Sequence, residues 1–132
     1  MTGGVWQAQV LAAQTTAGDA EAIAVPSGQV VTLQDVIWNE PGPSGLTFRF
    51  RFVAPAIARE GGTVDFDTAV DDMQHLCQSY ALSRIAEFGP APEQIIISLS
   101  DTAIVFGDAA PDATQFFEAF SVRDGVCTRD IY

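Results

Sequence analysis

The chain has 132 residues, 48% of them hydrophobic and 17% charged, with six cations against 17 acids and a formal net charge of -11. That composition is too apolar for a disordered chain and has the length of one globular domain. The run of roughly 18 apolar residues that a spanning helix requires is missing, so membrane insertion is excluded, and a field of this sign repels phosphate backbones and argues against nucleic acid.

All six cations are arginines. The absence of lysine closes Schiff-base chemistry, the phosphate-loop lysine and the Ser-Lys dyad. No Gly-rich phosphate loop, Gly-x-Ser-x-Gly elbow or His-Glu-x-x-His motif is present either, and nothing points to a cofactor or metal.

Residues 1–28 are rich in Ala, Gly, Gln and Thr and lack the cationic start and unbroken apolar run of an export signal. They read as a flexible tail, a possible pre-sequence remnant, ahead of a single domain over 29–132. Val30–Trp38 is β-branched and apolar enough for a strand, and Pro41–Gly45 reads as a turn. Leu46, Phe48, Phe50 and Phe52 then alternate with Thr47, Arg49 and Arg51, the pattern of a half-buried strand whose arginines face outward. Those arginines either pair with neighbouring carboxylates or form an anion-binding face. Pro55–Gly62 reads as a loop.

From Asp65 the period becomes helical. Phe66, Ala69, Val70, Met73, Leu76, Cys77, Tyr80 and Ala81 fall within one apolar arc, with Asp65 as N-cap. Arg84 would project from the centre of that stripe, so a break is expected near Leu82 and Ser83, with a short second helix to Phe88. Gln94–Ser100 reads as a central strand and Ala103–Phe106 as another. Phe116–Val122 and Val126–Tyr132 flank Asp124-Gly125, a two-residue hairpin signal that sets Val122 opposite Cys127, Phe120 opposite Arg129 and Glu118 opposite Ile131.

Together these elements predict an α+β fold: a mainly antiparallel sheet of five to six strands with one principal helix packed on one face, a two-layer sandwich. Helical phase and hairpin register separately aim Cys77 and Cys127 at the core. A Cys77–Cys127 disulfide would place the protein in the periplasm or outside the cell; two buried thiols in a reducing cytoplasm are the alternative.

Three functions stay open. The first is a non-enzymatic exported interaction or accessory domain with a protein partner, contacting it through Arg49, Arg51 and the Trp38–Gly45 segment. The second is a small enzyme using the only histidine, His75, with Asp71 or Asp72 one turn earlier, against which stands the plain reading of a solvated helix face. The third is a small-molecule binder with a pocket between helix and sheet lined by Phe48, Phe50, Tyr80 and Phe120.

The stretches Val25–Gln29 (VPSGQ), Phe50–Ala58 (FRFVAPAIA), Asp72–Cys77 (DMQHLC), Ile95–Asp101 (IIISLSD) and Ala113–Phe120 (ATQFFEAF) give the chain, over residues 24–132, a resemblance to a small uncharacterised alphaproteobacterial family, a domain of unknown function. The resemblance implies export, since members often begin with a signal, and carries no catalytic residues. Members sometimes bear the label acetolactate synthase. The residues oppose it: a thiamine diphosphate site wants Gly-Asp-Gly, and Gly107-Asp108-Ala109 departs from that.

Overall fold

The computed structural model describes residues 13–42 and 45–130. Six strands form one sheet in sequential order: β1 (Gln14–Ala17), β2 (Thr32–Gly42), β3 (Gly45–Val53), β4 (Gln94–Ser100), β5 (Gln115–Arg123) and β6 (Val126–Arg129). All neighbours are antiparallel except β3 and β4, which run parallel with Phe50 beside Ile97. A parallel pair needs a crossover, and the helical segment supplies it. The sheet is therefore mixed, and the fold is α+β as the periodicities predict.

The crossover begins with a 3-10 turn at Pro55–Ile57, then α1 (Phe66–His75). Asp65 caps α1, its carboxylate accepting from the Thr68 N–H at 2.9 Å. From Leu76 to Ala81 the helix widens into π geometry, the Leu82 N–H reaching back five residues to the Cys77 carbonyl. It ends where the apolar phase fails, and the expected second helix is only a 3-10 turn at Ile85–Glu87.

The core lies between the helix and one sheet face, on which Phe48, Phe50 and Phe52 of β3 meet Ile95, Ile97 and Leu99 of β4, Phe120 of β5, and Met73 and Leu76 of the helix, all sealed from solvent. Phe50 stacks on Phe52 and packs edge-on against Tyr80 and Phe88. The aromatic quartet proposed as a ligand pocket is thus part of this packed interior: Phe48, Phe50 and Phe120 are fully buried.

Two sequence expectations give way. Ala103–Phe106 is not a strand; the chain from 101 to 114 is an irregular loop over the opposite sheet face, and its four-residue apolar run is a cover in which only Ile104 is partly shielded. Residue 28 does not separate tail from body either. β1 pairs with β2 (Thr15 with Ile37), Val25 belongs to the core, and Gly18 lies so close to β2 that a Cβ there would meet the Leu33 carbonyl oxygen at 2.0 Å. Residues 1–12 lie outside the described ones.

Two bulges interrupt the β2–β3 ladder, one at Gln34 and one over Trp38 and Asn39, the latter with Asn39 at φ 63°. β2 continues past Pro41, so the ladder runs to Gly42 opposite Gly45; the rest of the expected Pro41–Gly45 turn falls on residues 43 and 44, outside the described ones. The Asp124-Gly125 hairpin forms as read, both residues at positive φ, with Val122 opposite Cys127 and Phe120 opposite Arg129. The Glu118–Ile131 pairing lies outside the described residues.

Candidate functional site

The alternation in β3 dictates where its arginines go. With Phe48, Phe50 and Phe52 turned to the helix, Arg49 and Arg51 must emerge on the opposite face, beside Asp35 and Ile37 of β2 and Ser98 of β4. The loop from 101 to 114 crosses that face. It is closed at its base by Asp101 and Thr114, each donating its backbone N–H to the other residue, the Asp101 side chain accepting one of the two. It is tied down midway by Gln34, whose side-chain amide donates to the Ile104 carbonyl at 2.7 Å.

Arg51 is consequently buried, not outward in solvent. One terminal nitrogen holds Asp35 at 2.9 Å and the other donates to the Ile104 carbonyl. Burial pushes the Asp35 carboxyl above its usual range, with the Arg51 charge opposing that shift. Arg49 donates through Nε to Glu40 at 2.7 Å and is half-exposed. Phe106 lies over both guanidiniums, its ring centre 5.7 Å from Arg49 and 5.2 Å from Arg51. Pairing with neighbouring carboxylates is therefore what the arginines do on their strand side. On the other side they line a cavity of about 140 Å3, with Ser98, Phe106, Asp108 and Phe117 among its walls. Val105, Phe106 and Phe117 are 69, 49 and 54% exposed, so the cavity opens within an apolar rim.

A larger groove of about 490 Å3 runs from Arg59 past the start of α1. Its charged groups are already engaged. Arg59 donates to the Pro111 and Ala113 carbonyls, its N–H goes to the Thr114 hydroxyl, and Asp65 serves Thr68.

Trp38, the third proposed contact residue, turns toward the core, its ring against Phe48 and Phe88 and its N–H on the Thr16 hydroxyl at 3.0 Å. The possible catalytic group separates as well. Asp72 points inward, fully buried, and accepts from the Ser27 N–H (2.9 Å), the Ser27 hydroxyl (2.5 Å) and the Gln29 side-chain amide (2.7 Å). Asp71 is exposed and His75 half-buried, and among the described residues no ion pair joins His75 to either aspartate. Asp72 is the anchor for the Val25–Gly28 turn, a role that helical phase alone did not show. Among the described residues, no cluster of three or more metal-ligating side chains occurs.

Cys77 and Cys127 are joined in a disulfide, both buried, between the π segment and β6. Gln74 and Gln78 flank it. Gln74 donates to the Cys127 carbonyl and Gln78 accepts the Cys127 N–H and donates to the Gly125 carbonyl, at 2.9–3.0 Å.

The motif stretches thus meet in space as structural joints. Val25–Gln29 docks on Asp72, Asp72–Cys77 carries Gln74 and the disulfide, and Asp101 and Thr114 clasp the covering loop. No curated protein and no solved structure matches this chain. A family model covers residues 6–132, and on that extent the chain belongs to the family of unknown function DUF6497.

Proposed function

We propose that the protein is an exported, non-enzymatic interaction domain that holds a protein partner on the face bearing Arg49, Arg51 and the loop over 101–114. The observation that carries this reading is the ring of exposed apolar side chains, Val105, Phe106 and Phe117, around a cavity with two arginines in its wall. Large exposed apolar groups gathered about a polar centre are the composition of a contact surface. A cavity of about 140 Å3 is small for a drug-sized ligand, whose sites usually span about 300–1,000 Å3, and suits one small group such as a side chain projecting from a partner. The buried disulfide supports export, since such bonds persist in oxidising compartments. No helix among the described residues is long and apolar enough to cross a membrane.

Two measurements test this. Cell fractionation with intact mass before and after reductant should find the chain in the periplasmic fraction, gaining two hydrogens on reduction. Quantitative crosslinking in that fraction should give a defined partner that the Phe106→Ala/Phe117→Ala double variant loses while keeping its fold. A cytoplasmic protein with free thiols, or a partner held equally by the variant, overturns the reading.

A further inference from the structure

Resting on the contact-surface reading, the chemistry of the cavity identifies the group it takes. Its wall is donor-rich. Arg49 spends only Nε on Glu40, so among the described residues its two terminal nitrogens keep their N–H groups for another acceptor. Ser98, nearly buried at 7% exposure, adds a hydroxyl. Asp35 and Glu40 are each committed to an arginine, and the acid remaining in the wall is the exposed Asp108.

A cation held here would have two guanidiniums in its wall against one uncommitted carboxylate, the exposed Asp108. A purely apolar group would bury the Arg49 donors without an acceptor, at the full desolvation cost of those groups. An acceptor that presents two oxygens in one plane matches the guanidinium fork, and its pairing is charge-assisted. The volume is of single-ring size: an enclosed site of about 150 Å3 holds benzene, and this one, open at its rim, is about 140 Å3. Phe106 and Phe117 supply the apolar wall.

We infer that the cavity binds a carboxylate carried on an apolar group of single-ring size, with Arg49 and Ser98 as its donors. Two sources share that chemistry: the C-terminal residue of a partner chain, and a free aryl or alkyl acid. Asp108 faces the same space and opposes the ligand's charge.

The test is a titration of the oxidised protein, followed by amide NMR shifts, with phenylacetate, phenylacetamide and phenethylammonium. Phenylacetate should saturate, shifting Ser98, Phe106, Gly107 and Phe117, and should bind about tenfold more tightly than the amide. Arg49→Gln should weaken it about tenfold with the spectrum elsewhere unchanged, and Phe106→Ala, on the exposed loop, should weaken it too. Asp108→Asn should tighten it. Absence of saturable binding, or equal binding of the amide or the ammonium, overturns the inference. A second titration compares the peptide Ala-Ala-Phe with a free carboxylate and its C-terminal amide. Tighter binding of the free-ended peptide than of phenylacetate assigns the carboxylate to a partner's C-terminus. Binding of phenylacetate alone upholds the inference with a free acid as ligand and counts against the contact-surface reading.

Discussion

Asp72 illustrates how one side chain can tie two distant parts of a chain. Its carboxylate takes three donors from Ser27 and Gln29, more than 40 residues earlier, in a position shut off from water. Asp72→Ala strands those donors and should cost roughly 2–4 kcal/mol in urea unfolding, whereas His75→Ala, three residues on, should change stability by less than about 0.5 kcal/mol. A large effect at His75 would mean that it has partners of its own. Asp65 gives a pH signature. Hydrogen bonds from Thr68 hold its carboxyl below the usual range. Its contribution is then complete above the unfolded-state value and disappears as pH falls through the lower folded-state value. Asp65→Asn keeps a capping oxygen but no titrating group, so it should stay close to the parent at neutral pH and lose less stability than the parent on acidification; parallel acid limbs in thermal melts would contradict this.

The helical crossover shows where patterning was readable and where it failed. Phe48, Phe50 and Phe52 strictly alternate, and the apolar arc from Phe66 to Ala81 has helical period, so both elements are legible within their own segments. The π widening is not, because it moves each N–H to the carbonyl one residue further back without altering composition. The Ala103–Phe106 run has strand composition, yet it is held as a loop by Gln34 and Arg51, partners more than 50 residues away. β1 is not legible for a like reason: Gln14–Ala17 has no alternating apolar face and is defined by the strand beside it. The cysteine pair was legible because two independent local phases aimed both sulfurs at one interior. It closes a separation of 50 residues, for which chain entropy predicts about 4 kcal/mol of stabilisation. Cys77→Ala/Cys127→Ala should therefore unfold at markedly lower urea concentration, and reductant should shift the parent toward the variant. No shift on reduction would place the stability elsewhere.

At the scale of the molecule, charge and burial oppose each other. A net charge of -11 on 132 residues repels itself in the compact state. Only three Arg-carboxylate ion pairs occur among the described residues, so most acids lack a cation. Raising monovalent salt from low to physiological ionic strength should raise the melting temperature through screening, and a flat or falling dependence would show that the ion pairs outweigh the repulsion. The arginine cavity belongs to this scale too. The outward phase of Arg49 and Arg51 was readable in β3, but their enclosure depends on a loop that follows β4, so the alternation pointed to an open face where the fold builds a walled one.

The glutamine brace on β6 bears on how the molecule meets copies of itself. The Asp130 N–H donates to the Ala119 carbonyl, so the bonded pairs of the last hairpin are those in phase with it, and Cys127 turns its peptide groups away from β5. Gln74 and Gln78 already occupy both groups. An incoming strand would have to evict two side chains anchored beside a covalent crosslink. Since an endless ribbon of sheets needs two receptive flanks on every subunit, this one stops such growth from its C-terminal side whatever happens at β1.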